Sequence, residues 1–266
     1  MALLHVTYFS QALSGQNDFY AVLPNDLPPM MTTMPNPAFQ RPMKTLVLLH
    51  GHGGAAADWL TGSGIQELAT KYNLAVLMPN GRNSFYLDKE ASGEGYGTFI
   101  GEELLSYARK TFGLSDKAED TFIGGFSMGG FGALRNGLKY SQNYSKIMAF
   151  SSAIITKEVH EMDPARGNMV ANYAYYAATF GDPATVLERD ADPAWLVKQK
   201  LAAGEKLPGI YMACGTDDML LPVNQEFAQV LTENDVPFIF KVSKGMHDWT
   251  FWNTYLEPAI QWMLEE

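Results

Sequence analysis

Apolar positions along the chain fall into two regimes. Between Leu3 and Leu23 they come as two short stretches, LLHVTYF (3–9) and FYAVL (19–23), rich in β-branched and aromatic residues and separated by SGQND turn chemistry. This predicts an antiparallel strand pair. From residue 45 onward the runs become continuous: TLVLL (45–49), LAVLM (74–78), TFIGG (121–125), KIMAF (146–150), GIYMA (209–213) and PFIFKV (237–242). A strand that is apolar at consecutive positions has both faces to bury, as a sheet covered by helices on both sides requires. Between two of these runs, TFIGEELLSYARKTF (98–112) puts Ile100, Leu104, Ala108 and Phe112 on one helical stripe and leaves Glu102, Glu103 and Lys110 to the surface. Two strands followed by repeated strand-helix units predict an α/β fold, a mostly parallel, doubly wound sheet with an antiparallel pair at its start.

Two intervals interrupt the alternation. Six of the 14 prolines lie between Pro24 and Pro42, which predicts a long surface connection there, since proline donates no backbone hydrogen bond and disrupts helices and central strands. The ~40 residues up to its end are too few for a core of their own, so the expectation is one domain over residues 1–266. The second interval, about 153–207, has no convincing strand. Asp163-Pro164, Asp182-Pro183 and Asp192-Pro193 each resemble an N-cap with proline at the first helical position, so this stretch is expected to be a helical insertion. Its cluster NYAYYAATF (172–180) either roofs a pocket or packs on the sheet.

Composition narrows the class. Hydrophobic residues at 47% against 18% charged describe a globular chain. No apolar run approaches the roughly 20 residues of a membrane span. The opening MALLHVTYFSQ lacks the pattern of a signal peptide, and the lone Cys214 precludes an internal disulfide; both lead to an expected cytoplasmic location. A net charge of -10 disfavours nucleic acid and anionic membranes as partners, leaving small neutral or cationic molecules and protein partners, further copies of this chain included.

The candidate chemistry centres on GGFSMGG, where Gly125-x-Ser127-x-Gly129 follows a buried strand and precedes the helical FGALRNGLKY. That is the context of a nucleophile elbow, in which small residues two positions either side of the serine let the turn close. A serine hydroxyl needs a base to take its proton and a carboxylate to orient that base. His247, in GMHDW, follows the last apolar strand, and Asp217 and Asp218, in CGTDDMLL, follow the strand before it. Both loops belong to the C-terminal sheet edge, where open α/β sheets place their sites. The order Ser127, Asp, His247 is that of an α/β hydrolase; spacing alone does not choose between the aspartates, and an N-cap or turn role suits the other one. The run His50-Gly51-His52-Gly53-Gly54 follows the first parallel strand and suits an oxyanion loop, with the Met128 amide as its partner donor. A metal site at His50-x-His52 is the competing reading, and it lacks a further ligand at recognisable spacing.

Taken together, the paired N-terminal strands, LLHGHGG, LMPNGRNSFYLD, the EELL helix, FIGGFSMGGFGAL, CGTDDMLL and GMHDWTFWNTYL resemble the esterase D group of α/β hydrolases. The likeness is to the small tributyrin-esterase-like carboxylesterases in particular, with S-formylglutathione hydrolases as relatives. The resemblance implies Ser127 as nucleophile, His247 as base and Asp218 as its orienting acid. It implies backbone donors at His52 and Met128, with Gly53 the alternative to His52. It also sets Trp249 near the substrate pocket, through a pattern similar to H-x-W-x-x-W, with helix packing as the competing role. GHGGAAADW lacks the cysteine of the formylglutathione branch, which argues against a glutathione thioester.

The expected activity is therefore hydrolysis of small, short-acyl carboxylic esters through an acyl-enzyme, with no metal or organic cofactor. Feruloyl or acetyl-xylan esterase and S-formylglutathione hydrolase are the enzymatic alternatives. A binding protein that keeps the scaffold without catalysis is the alternative from another class.

Overall fold

The computed structural model describes residues 1–26, 36–89, 92–168 and 170–265. Its central feature is an eight-stranded sheet, and its strands, in chain order, follow the apolar runs closely. They are β1 (Ala2–Ser10), β2 (Gly15–Leu23), β3 (Lys44–Leu49), β4 (Leu74–Pro79), then a small hairpin of β5 (Asp88–Lys89) and β6 (Glu94–Gly95), followed by β7 (Thr121–Phe126), β8 (Lys146–Phe150), β9 (Gly209–Gly215) and β10 (Phe238–Ser243). The hairpin stands outside the main sheet, whose order is β1-β2-β4-β3-β7-β8-β9-β10. β1 pairs antiparallel with β2 and β2 with β4, and the remaining pairs are parallel.

The register explains why the central strands are apolar on every position. Val47, Ile123, Ile147 and Ile210 stand side by side across β3, β7, β8 and β9 and project into one core. The alternate residues Leu46, Phe122, Met148 and Tyr211 project into the core on the other face. The helices on the first face are α3 (Leu104–Phe112) and α4 (Met128–Lys139), with α8 (Leu221–Glu233) further along. On the second face lie α1 (Asp58–Gly62), α2 (Ile65–Tyr72) and α9 (Trp249–Leu264). The edges behave differently. β1 alternates between half-buried and exposed positions, and β10, apolar through PFIFKV, has no fully buried residue because a strand at the sheet edge is covered less.

The insertion between β8 and β9 is helical. It contains α5 (Thr156–His160), α6 (Tyr173–Phe180), a 3₁₀ segment (Pro183–Glu188) and α7 (Pro193–Ala202). Two of the three Asp-Pro signals cap helices here. Asp182 accepts the Ala184 N–H at 3.0 Å, and Asp192 accepts the Trp195 N–H at 3.1 Å. Asp163-Pro164 does not open a helix: its carboxylate accepts the Ala165 N–H at 2.9 Å, in a turn that goes no further.

A second correction concerns Glu103, expected on the surface. A π-type segment (Phe99–Glu103) precedes α3, and from it the Glu103 carboxylate accepts bonds from Ser10 Oγ and the Gln11 and Ala12 amides, fastening the β1–β2 turn. Residues 27–35 of the proline-rich connection lie outside the described residues, and the remainder includes a short 3₁₀ turn (Pro37–Gln40). Among the described residues, no helix is long and apolar enough to cross a membrane.

Candidate active site

The residues singled out in sequence converge at the C-terminal ends of the parallel strands. Ser127 sits between β7 and α4 with φ 56° and ψ -122°. A residue with a Cβ pays about 1–3 kcal/mol for such a conformation, which persists only where its surroundings over-determine it. Those surroundings are backbone bonds: the Ser127 N–H donates to Phe150 O at 2.9 Å, and its carbonyl accepts from Phe131 and Ala153, each at 3.0 Å. The flanking glycines are steric necessities. A Cβ on Gly125 would lie 2.3 Å from the Gly129 carbonyl oxygen, and one on Gly129 would lie 2.2 Å from Leu49 O. The turn cannot close around side chains at either position.

Asp218 and His247 lie on the loops after β9 and β10. Backbone bonds from Thr216 to Ser243 and from Asp217 to Gly245, both 2.9 Å, tie the two loops together. His247 Nδ1 lies 2.9 Å from Asp218 Oδ2. An ionised carboxylate only accepts, so the proton belongs on Nδ1 and Nε2 carries the free lone pair. The aspartate side chain is fully buried, while the imidazole is 26% exposed. Burial pushes the Asp218 carboxyl up, but hydrogen bonds from His247, the Ser151 hydroxyl and the Leu220 amide outweigh it and hold the group below its ordinary value. Ser151 is itself held by the Trp252 indole, which donates to its Oγ at 3.0 Å. The same indole stands edge-on to the His247 ring, with centroids 5.1 Å apart.

Burial separates the two aspartates that spacing left equivalent. Asp217 is exposed. Asp218 does both jobs considered for the pair, accepting the Leu220 N–H at 2.9 Å with one oxygen while the other faces His247. Cys214, at the end of β9, is buried, and burial pushes its thiol up to about 12, so it is not a nucleophile at neutral pH.

Ser127, Met128, His52 and His247 line a cleft of about 490 Å³ whose other walls include Phe85, Ile155, Glu158, Tyr176 and Met219. Among the described residues no hydrogen bond joins Ser127 to His247; such bonds are often long in unliganded enzymes and tighten when substrate binds. Met128 is the first residue of α4, so its amide is one of the donors a helix leaves unmatched and carries the positive end of the helix dipole. The amides of His52 and Met128 have no acceptor among the described residues, whereas the Gly53 N–H donates to Asn83 Oδ1 at 2.7 Å. His50 is a fixture of the loop. Its Nδ1 bonds Gly51 O at 2.8 Å and its Nε2 accepts the Gly81 N–H at 2.9 Å, so both nitrogens that a metal would need are engaged. Burial holds both the His50 and His52 imidazoles below their ordinary value, which keeps them neutral.

Trp249 is positioned away from the walls of the cleft. It packs with Trp59, Phe126 and Trp252 in an aromatic cluster beneath the loops, at centroid distances of 5.2, 4.8 and 5.2 Å. Tyr176 of the 172–180 cluster both packs in the core and lines the cleft. Of the remaining histidines, His5 pairs with Asp18 at 2.9 Å and His160 bonds Pro183 O at 3.0 Å. Sequence reasoning missed Asp248, which caps α9 by accepting the Phe251 N–H at 2.9 Å and so fixes where the helix begins after His247. An Asp followed by helical periodicity is the signal that marks it.

A mostly parallel sheet with this elbow at its centre defines the chain as an α/β hydrolase of the serine type. Comparison with known proteins carries the assignment further. A family model described as "Putative esterase" matches residues 19–263, and the chain belongs to that esterase family. An acetyl esterase of Caldicellulosiruptor saccharolyticus is 40% identical over 268 residues, covering 99% of this chain and 98% of the relative. Among solved structures, the fluorophosphonate-binding serine hydrolase FphF of Staphylococcus aureus matches at a TM-score of 0.84 and 26% identity, over 100% of this chain and 99% of that one. The S-formylglutathione hydrolase FrmB of Staphylococcus aureus matches at 0.81 and 26%, over 99% of each chain.

Proposed function

We propose that this esterase hydrolyses small, short-acyl carboxylic esters through an acyl-enzyme on Ser127. The observation that carries the reading is the buried Asp218 bonded to His247 Nδ1, with His247 and Ser127 on one cleft. In acylation His247 Nε2 takes the hydroxyl proton as Ser127 Oγ bonds to the ester carbonyl carbon. The carbonyl oxygen becomes an oxyanion held by the His52 and Met128 amides. The tetrahedral adduct collapses, the C–O bond to the alcohol breaks, and the alcohol leaves with the proton from His247. A water then gives its proton to the same nitrogen, attacks the acyl carbon and releases the acid, and Ser127 recovers its proton. Each proton is carried by the chain's own groups.

Support for a small acyl group comes from the acetyl esterase relative, and the cleft walls include the apolar Phe85 and Ile155. Support against an anionic ester comes from Glu158. It is the one Asp, Glu, Lys or Arg among the cleft-lining residues, and Asn168 Nδ2 donates to it at 2.7 Å. A glutathione thioester brings carboxylates of its own, which a carboxylate on the wall opposes. The test is a panel of nitrophenyl esters from acetyl to decanoyl, with methyl ferulate, acetylated xylan and S-formylglutathione. Highest kcat/KM on acetyl or butyryl esters is expected, and a preference for the thioester or the ferulate would overturn the substrate assignment. The single free, buried cysteine suits a reducing cytoplasm; recovery of the native enzyme in an extracellular fraction would argue against that location.

A further inference from the structure

Asn83 lies 30 residues from Gly53 in sequence, yet it holds the loop that carries the proposed oxyanion donor. Its side-chain oxygen accepts the Gly53 N–H at 2.7 Å. Its backbone carbonyl accepts the hydroxyl of Tyr175, from α6 of the insertion, at 2.8 Å. The backbone around it is costly: Arg82, Phe85 and Tyr86 have φ of 47°, 50° and 54°, a left-handed region unfavourable for residues with a Cβ. Such a run persists only when several ties enforce it. Here the Gly81 N–H donates to His50 Nε2 at 2.9 Å, and the Ser84 hydroxyl donates to Gly81 O at 2.6 Å. The Tyr86 N–H donates to Ser84 Oγ and the Tyr86 hydroxyl to His50 O, both at 3.0 Å. Asn136 Nδ2, from α4, donates to Tyr86 O at 3.0 Å. These ties run within the segment, to the His50 loop, and to the helix that begins with Met128. The strained segment is thereby fixed against both elements that carry the proposed oxyanion donors.

We infer that Asn83 is a positioning residue for the oxyanion hole: by accepting the Gly53 N–H it turns that amide aside and leaves the His52 N–H as the donor beside Met128. The inference rests on the hydrolase reading above. Without the Asn83 oxygen, the Gly53 amide loses its acceptor and the loop gains orientations in which the His52 amide no longer faces the reacting carbon. A tetrahedral oxyanion depends on that amide far more than a ground-state ester does, since the negative charge develops only on the way to the adduct.

The test compares wild type with Asn83→Ala and Asn83→Asp, the second keeping an acceptor oxygen. Nitrophenyl acetate serves as substrate and a trifluoromethyl ketone as probe. In the ketone adduct the Ser127 oxygen bonds to the carbonyl carbon, the hydroxyl proton passes to His247 and the ketone oxygen becomes the oxyanion. Asn83→Ala is expected to lower kcat about tenfold with KM within about twofold, and to raise the ketone Ki about tenfold, less than complete loss of an oxyanion donor costs. The Ki of the matching trifluoromethyl secondary alcohol, which has no carbonyl and forms no adduct, is expected to stay within about twofold, and Asn83→Asp to recover kcat and ketone Ki to within about threefold of wild type.

Wild-type kcat and ketone Ki in Asn83→Ala, with a fluorophosphonate still labelling Ser127, would overturn the role of Asn83 and leave the hydrolase reading standing. Failure of the wild-type serine to take the label would remove both. Should Asn83→Ala fail to fold, Tyr175→Phe, which removes the bond to the Asn83 carbonyl, is read in the same way. A ketone Ki raised about threefold supports the inference, and an unchanged one contradicts it.

Discussion

Ser127, Asp218 and His247 come from the loops that end β7, β9 and β10, whereas Ile155, Glu158, Asn168, Val170 and Tyr176, on the same cleft, come from the insertion between β8 and β9. The two banks are held in different ways. On the sheet side, backbone bonds tie neighbouring strand ends together: Ser127 to Phe150, Ser151 to Ala213, Thr216 to Ser243 and Asp217 to Gly245. On the insertion side, side chains add ties to the backbone bonds, as where Asn168 Oδ1 accepts from the Val170 and Ala171 amides and the Tyr176 hydroxyl. Val170 is 56% exposed, while Asp218 is 4% exposed. The proposed chemistry thus rests on groups at the strand ends, and the facing wall of the cleft on groups from the insertion.

The largest expected effect tests the sheet bank. Asp218→Asn keeps the shape but cannot hold His247 in the tautomer with its lone pair toward Ser127. It should lower kcat by about 10³–10⁴-fold with little change in KM, as measured by steady-state kinetics on nitrophenyl acetate. A loss under tenfold would mean that the aspartate does not orient the base.

The second test uses the strain at the elbow. If Ser127 is held in an unfavourable conformation, Ser127→Gly should be more stable than Ser127→Ala by about 1 kcal/mol, since only the first relaxes at φ 56°. Thermal melts of the two inactive proteins decide it, and equal stability would contradict the strain.

The insertion bank predicts a smaller change. Ile155→Phe should cut activity on longer acyl chains relative to acetyl by about 3–10-fold, leaving the acetyl ester within about twofold. An equal loss on all chain lengths would place Ile155 with the chemistry and blur the contrast between the banks.

The smallest effect appears only in acid. Because the Asp218 carboxyl is held below its ordinary value, the stability it adds is fully present above the unfolded carboxylate pKa and is lost as pH falls through the folded one. The difference in melting temperature between wild type and Asp218→Asn should therefore be constant above about pH 5 and shrink below about pH 4. A difference that grows with acid would reverse the sign.

The fold was legible to the extent that burial is written into single positions. Continuous apolar runs marked all six strands from β3 onward outside the small hairpin; for β3, β4, β7, β8 and β9 the cause is cover on both faces, whereas the edge strand β10 carries such a run without a fully buried residue. The β5–β6 hairpin, only two residues per strand, leaves no such run. Glu103 and Asp163 were misjudged because their roles depend on what lies opposite in space, the β1–β2 turn in one case and a turn that does not propagate in the other.

The site shows the same division. The positions of Ser127 and His247 follow from strand ends and chain order; spacing leaves Asp217 and Asp218 open, the resemblance points to Asp218, and burial sets Asp218 apart from the exposed Asp217. Asn83 lies in LMPNGRNSFYLD and Tyr175 in the 172–180 cluster, yet neither stretch discloses their bonds, since the partners lie 30 and 92 residues away in sequence. Trp249 stands two residues from His247 yet faces the aromatic cluster behind the loop, because α9 begins at that residue and turns its side chain toward Trp59 and Phe126.

The central claim, a nucleophilic Ser127 activated by His247, is tested most directly by treating the folded enzyme with a fluorophosphonate and mapping the adduct by peptide mass spectrometry. One phosphonyl group on Ser127 is predicted, lost in Ser127→Ala and slowed by at least about 100-fold in His247→Ala. Labelling of another residue, or labelling of Ser127 at an unchanged rate in His247→Ala, would contradict it.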